Sequence, residues 1–338
     1  MKHRITPARF LQKNWLLVGI LGCIFVAAIY PDLGSKQGPL RTEYSVKYGA
    51  VFIIFLISGL SLQTEDIFST LQQLKLHLFI QLYTFLFIPV FTQAFVWLLS
   101  FFGIHSWVLK GLITVACMPP PVSSAVILTR TAHGNETAAI FNSVVGSFLG
   151  IMITPILLLF NLGSTTIVPL LGTVIQLIIT VLVPLSLGQA VKSRTNLRGQ
   201  RLPLNTIGQS ALLFVIYTTF CDTFLVPETG LSAMDVIFTV FSVLILQISL
   251  MFLSFKLANR LRRYFSPQDI IAIMFCSTHK SLTLGIPILR IMFHGYSHLS
   301  QISLPLLVYH PTQIILGGLL VSQMKDWVYS QKTKRPPV

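Results

Sequence analysis

Charge is what this sequence has least of. Only 10% of its 338 residues are Asp, Glu, Lys or Arg, and the acids number ten. So low a charged fraction excludes an ordinary soluble globular domain. All ten acids (Asp32, Glu43, Glu65, Asp66, Glu136, Asp222, Glu228, Asp235, Asp269, Asp326) fall in loops or near the ends of apolar segments. Asp222 reads as a solvated rim acid, with a role on an access path as the alternative. Cysteine is scarce too. Cys23, Cys117, Cys221 and Cys276 lie in or at the ends of apolar segments without metal-ligand spacing, which argues against a disulfide framework or a metal centre. A His-Glu metal motif, a G-x-S-x-G elbow and a phosphate-binding loop are all missing. Glu65 and Asp66 are adjacent, a spacing that does not converge side chains on one helix face. Neither enzyme chemistry nor a cofactor is expected. The longest polar connection, roughly 192–205, is too short to fold alone.

What the sequence has is apolar length. Hydrophobic residues make up 53% of the chain, and the mean hydropathy is +0.76. A spanning helix needs about 20 apolar residues. Ten candidates lie near 15–30, 44–62, 76–102, 107–131, 136–160, 166–191, 206–226, 234–256, 269–292 and 300–324, the fourth and ninth interrupted. The expected partner is the lipid bilayer. The first stretch reads as an anchor rather than a cleaved signal.

The net charge of +14 follows the topology and does not point to nucleic acid. With the N-terminus in the cytosol, one side collects Lys2, Arg4, Arg9, Lys13, Lys75, Arg130, Lys192, Arg194, Arg198, Arg201, Lys256, Arg260, Arg262, Arg263, Lys325, Lys332, Lys334 and Arg335. That is 18 of the 24 Lys and Arg. Lys36, Arg41, Lys47, Lys110 and Arg290 fall on the other side. This asymmetry predicts both termini in the cytosol. It also places the sequon Asn135-Glu136-Thr137 in a cytosolic turn, where it goes unused.

Two interruptions carry the functional signal. The ninth span contains Cys276-Ser277-Thr278-His279-Lys280-Ser281-Leu282-Thr283-Leu284-Gly285-Ile286-Pro287. A lysine at membrane depth faces a cavity or a partner, unless it snorkels to the interface. Gly285 and Pro287 are expected to help break the helix. In the fourth span, Pro119, Pro120 and Pro121 lack backbone N–H groups, so a helix must open there. Ser123 and Ser124 follow at the start of a second half-helix, where they either cap it or meet an anion. Asn142, Ser143 and Ser147 in the next span are candidates for the same site or for interhelical hydrogen bonds. Ser277, Thr278, His279 and Ser281 complete the polar run, and His279 reads either as a titrating group or as a satisfied structural histidine. Gln81, Thr84, Tyr309, His310 and Gln313 stand in the second rank, with Pro89 and Pro311 bending their helices. Each interruption precedes a span with an internal proline, Pro155 or Pro305. Two five-span halves have opposite orientation, the pattern of an inverted repeat with a site where its broken helices meet.

Three stretches carry a resemblance to the bile acid:sodium symporter family, in a divergent branch of it. They are Met118 to Thr129, Gly134-Asn135-Glu136 through Phe148-Leu149-Gly150, and Phe275 to Leu282. The resemblance extends over the whole chain, third-span flanks such as Leu74 to Gln81 included. It implies an all-α integral membrane fold of ten helices in two inverted five-helix repeats, with helices 4 and 9 broken and crossing. It also implies a cytosolic arm (1–14), a panel (15–62 and 166–226; helices 1, 2, 6 and 7), a core (76–160 and 234–324; helices 3–5 and 8–10) and a basic cytosolic tail (325–338). Relatives that transport bile acids bind two sodium ions at the crossing. By motif position, Ser123 keeps their serine, Ser124 replaces an asparagine, Ser143 keeps a hydroxyl and Thr84 falls at a glutamine. Cys276 takes the glutamate position and Lys280 that of the ninth-helix glutamine. A cation site without its carboxylate and with an ammonium nearby faces Coulomb repulsion, so sodium symport by the family's scheme is not expected. Lys280 instead substitutes for bound cation charge, with proton coupling through Lys280 or His279 as the alternative. The branch further implies roles in intracellular calcium homeostasis and in glycoprotein and glycosaminoglycan production, in Golgi, endoplasmic-reticulum and plasma membranes, without bile acid transport. The leading expectation is a transporter of a small organic anion. The alternative is a non-transporting regulator that retains the fold and acts on calcium-entry machinery or secretory-pathway homeostasis.

Overall fold

A backbone in lipid must satisfy its own polar groups, and helices do so within one segment. In the computed structural model of the chain, residues 15–35, 38–61, 73–121, 124–162, 175, 178–194, 203–225, 233–293 and 298–333 are described. Every regular element among them is helical, without a strand. The N-terminal arm, Ser123, most of the basic connection near 192–205 and the end of the basic tail lie outside the described residues.

The main helices are α1 (Trp15–Ile29), α2 (Val51–Ser61), α3 (Leu74–Leu82), α4 (Ile88–Leu99), α5 (Ser106–Cys117), α6 (Ser124–Thr131), α7 (Glu136–Leu162), α8 (Val183–Arg194), α9 (Leu204–Phe224), α10 (Ala233–Arg260), α11 (Pro267–Thr278), α12 (Leu282–Met292) and α13 (Leu299–Thr333). A π-helical turn, Tyr83–Phe87, joins α3 to α4. Among the described residues, five stretches are long and apolar enough to cross a membrane: Leu74–Phe102, Glu136–Leu162, Met234–Arg260, Pro267–Met292 and Leu299–Gln331. This is a multi-pass membrane protein.

The chain divides into two units. The first comprises Met1–Leu62, Val168–Gly230 and Ile286–Ser300. Its α2 and α8 meet at glycines: a Cβ on Gly59 would strike the Leu185 carbonyl, and one on Gly188 the Leu56 carbonyl. Without water to drive association, such close backbone approach supplies the packing. In the same unit Arg290 is buried and donates to Thr219 Oγ1 at 3.1 Å.

The second unit comprises Gln63–Ile167, Leu231–Gly285 and Gln301–Val338, and it holds both interruptions. Every residue from Ile270 to Leu282 is buried, so the polar run is held inside protein. A capping box starts α11: Ser266 Oγ accepts from Asp269 N, and Asp269 Oδ2 accepts from Ser266 N at 2.9 Å. Asn135 joins this cap to the start of α7, donating to Asp269 Oδ1 at 2.7 Å while accepting from Ala138 N at 3.0 Å.

The second interruption is shorter than the sequence suggests. It covers His279 to Ser281, and Gly285 and Pro287 both lie inside α12. Gly285 N donates to the Ser281 carbonyl at 3.1 Å, closing the first turn. Pro287 forfeits one ladder bond, to Thr283, which the helix survives. Gly285 is required for space: a Cβ would stand 2.6 Å from Leu306 Cδ2 and 2.9 Å from Met118 Sδ.

Candidate functional site

In an α-helix each carbonyl accepts from the N–H four residues on. Pro119, Pro120 and Pro121 therefore strip the donors from Val115, Ala116 and Cys117, three carbonyls that must find other partners. Val115 O accepts from Met118 N at 3.1 Å. Cys117 O accepts from Thr154 Oγ1 at 2.7 Å. Ala116 O accepts from Lys280 Nζ at 2.9 Å. Within the opened segment, Met118 O takes a second bond from Lys280 Nζ at 2.9 Å, Pro119 O accepts from Ser281 N at 2.8 Å, and Pro120 O accepts from Ser147 Oγ at 3.4 Å. The two interruptions are thus bonded to each other through their backbones.

Lys280 takes its third acceptor from the π-helical turn. There Ile88 N bonds to Tyr83 O, five residues back. By the same register Thr84 O would need the N–H of Pro89, which has none, and Lys280 Nζ donates to it at 3.3 Å. Three carbonyls match the three donors of an ammonium, where a neutral amine offers two. Lys280 is 0% exposed, so it does not snorkel. The ion pair found among the described residues is Arg130–Glu136 at 3.5 Å, remote from it in sequence and exposed. Among the described residues, three peptide carbonyls and no carboxylate answer the lysine's ammonium.

The rest of the second interruption is held by α13 and the π-helical turn. Gln313 pairs with the Lys280 peptide through Oε1 and Nε2. Tyr309 OH donates to Thr278 O at 2.7 Å, and Thr84 Oγ1 to Ser277 O at 3.3 Å. His279 Nε2 lies 3.2 Å from the Gln313 carbonyl; a carbonyl only accepts, so Nε2 carries the hydrogen. The His279 ring is thus hydrogen-bonded within the protein. Ser277 and Thr278 turn their hydroxyls back onto Ile273 O and Met274 O, both at 2.6 Å. Ser281 Oγ accepts from Leu284 N at 3.3 Å, capping α12.

A second polar group runs along α3 and α7. Gln81 Nε2 donates to Asn142 Oδ1 at 3.2 Å, and Asn142 Nδ2 to His77 Nδ1 at 2.8 Å. Among the described residues, Gln81 Oε1, Ser124 Oγ and Ser143 Oγ are buried without a hydrogen bond of good geometry. A Cβ on Gly146 would strike Pro120 and stand 3.1 Å from Gln81 Oε1, which places that oxygen next to the proline break. Buried oxygens without donors suit a ligand that brings hydrogen-bond donors. Tyr309 and Gln313, of second rank in the sequence, brace the second interruption, while Thr154, Gly146 and Gly150, which carry no polar-run signal, meet the first. The four-residue glycine spacing on α7, which faces Pro119 and Pro120, was the available signal.

A helical membrane protein whose broken helices meet at a buried polar centre has the build of a secondary transporter. Comparison with known proteins agrees: the chain belongs to the SBF-like CPA transporter family, whose model matches residues 14–326. Sodium/bile acid cotransporter 7 of Rattus norvegicus is 51% identical over 334 residues, covering 97% of this chain and 98% of the relative. The protein of the same name from Xenopus tropicalis is 49% identical over 335 residues, covering 97% and 98%. Solute carrier RCH1 of Candida albicans is 28% identical over 376 residues, covering 95% and 90%. These relatives carry the names of transporters rather than of enzymes.

Proposed function

We propose that the protein moves a small organic anion across the membrane by alternating access, with Lys280 in the place where a relative would hold a free cation. The observation that carries this reading is the cage of three carbonyls around the Lys280 ammonium, built from prolines and a π-helical turn without a carboxylate. Oxygen cages of this kind serve hard cations. A tethered ammonium that fills one leaves sodium without a seat there, so sodium symport is not part of the reading. The positive end of α6 and the Lys280 charge together favour an anionic ligand at the meeting of the breaks.

Within this reading the chain has ten spans in two inverted repeats. A panel (15–62 and 166–226) rocks against a core (76–160 and 234–324), and both termini are cytosolic, as the Lys and Arg asymmetry supports. A role in intracellular calcium homeostasis and in glycoprotein and glycosaminoglycan production, in Golgi, endoplasmic-reticulum or plasma membranes, rests on the family resemblance alone.

The test is thermal stabilisation of the purified protein and its Lys280→Ala variant against sodium, sulfate, nucleotide sugars and sterol conjugates. Anion-dependent stabilisation of the wild type that is lost in the variant and indifferent to sodium is the expected result. A sodium shift that survives the substitution would overturn the tethered-cation reading. Absence of any ligand shift would favour a non-transporting regulator.

A further inference from the structure

The ends of three apolar helices in the second unit gather cations on aromatic faces. Lys75, in the first turn of α3, holds Nζ 4.8 Å from the Tyr264 ring centroid. Arg262, just beyond α10, sets its guanidinium carbon 5.3 Å from the Trp327 ring of α13. Lys256, near the end of α10, lies 5.2 Å over Phe252. These supports are braced from behind: Trp327 packs on Phe255 at 4.9 Å, and Phe265, next to Tyr264, on Phe79 at 5.4 Å. Lys75, Lys256, Arg260, Arg262 and Arg263 are all exposed. Among the described residues none of them has a carboxylate within ion-pair distance. Of the acids among the described residues near these helix ends, Asp269 is held by Ser266 and Asn135, and Glu136 is paired with Arg130.

Stacking orders a long cationic side chain without neutralising it. A guanidinium lying over a ring keeps its in-plane N–H fork free for bidentate contact with phosphate. The cluster sits at the first turn of one membrane-crossing stretch and just past the end of another, Met234–Arg260, which is headgroup level. Phosphatidylcholine is neutral overall, and phosphatidylserine sets one ammonium beside its two anionic groups, for a single net negative charge. A phosphoinositide has phosphomonoesters and no cation.

We propose that this face binds the headgroup of a phosphoinositide in the surrounding leaflet. The proposal is independent of what the protein transports. The full-length protein is incubated in detergent with short-chain phosphatidylinositol phosphate, phosphatidylserine, phosphatidylcholine or a soluble inositol phosphate, and retained ligand is read by native mass spectrometry. The wild type retains the phosphoinositide in preference to the other two lipids. The combined variant Lys75→Gln, Arg262→Gln, Arg263→Gln reduces that preference on the order of 100-fold at low salt. Equal retention of all three lipids by the wild type, or undiminished preference in the variant, would overturn the proposal. Displacement of the lipid by an equal concentration of inositol phosphate would overturn the lipid as the occupant. Should the combined variant fail to fold, the wild-type headgroup comparison still decides. So does Trp327→Leu, which removes the ring and leaves every charge: it weakens retention several-fold, and retention equal to wild type would count against the site.

Discussion

Gln313 pairs its side-chain amide with the peptide of Lys280 in both directions: Lys280 N donates to Oε1 at 2.7 Å, and Nε2 donates to the Lys280 carbonyl at 2.9 Å. One side chain gives an interrupted helix what a neighbouring strand gives in a sheet. Gln313→Ala leaves a buried donor and a buried acceptor unpaired, each costing about 1–3 kcal/mol. The expected result is a clearly lower midpoint of thermal unfolding in detergent. An unchanged midpoint for the alanine variant would show that the pairing does not hold the break.

Thr154 carries a smaller share of the same work, filling the carbonyl of Cys117 that Pro121 leaves without a donor. Thr154→Val preserves shape and removes the hydroxyl. It is expected to destabilise by about 1–3 kcal/mol, the range for a stranded buried carbonyl, while Thr154→Ser stays close to wild type. Denaturant unfolding of the three proteins checks this ordering.

Gly150 and Gly318 make a matched pair. A Cβ on Gly150 would strike the ring of Pro119, whereas one on Gly318 meets nothing within 4 Å. Gly150→Ala is expected to cost about 1–3 kcal/mol through overpacking at the proline break. Gly318→Ala is expected to be neutral or to gain up to about 1 kcal/mol, since alanine is the better helix former. Equal effects of the two would mean that α7 does not press on the break.

Asn135 heads a glycosylation sequon, yet its amide nitrogen donates to Asp269 Oδ1 at 2.7 Å and its oxygen caps α7. The native side chain is therefore not free for a glycan. Endoglycosidase treatment is expected to leave the mass of protein from secretory membranes unchanged. Asn135→Ala should cost about 1 kcal/mol as a lost N-cap.

The first interruption was legible because proline's missing N–H is a property of the residue itself, and Pro119 to Pro121 force the opening wherever they stand. The second was legible as polarity at depth but not in extent. Gly285 and Pro287 read as breakers, whereas in the fold the proline forfeits one bond inside α12 and the glycine makes room for Met118. Lys280 stood out in the sequence; its three acceptors did not, because they belong to segments 162 to 196 residues away. Pro89 was the clue to one of them, since a proline five residues after Thr84 leaves a π-helical turn with a carbonyl to spare. Ser277 and Thr278 stand out because hydroxyls in an apolar run are rare, and in the fold both donate to their own helix.

The lysine cage also bears on energy. A free ion taken up on one side and released on the other runs down its gradient once per turnover. An ammonium that keeps its proton while bonded into the chain travels back with the protein, so over a closed cycle it moves no net charge and harvests nothing from a gradient. Lys280, held by Thr84, Ala116 and Met118, would confer the architecture of an ion-driven pump without its engine. Solute would then run downhill or by exchange.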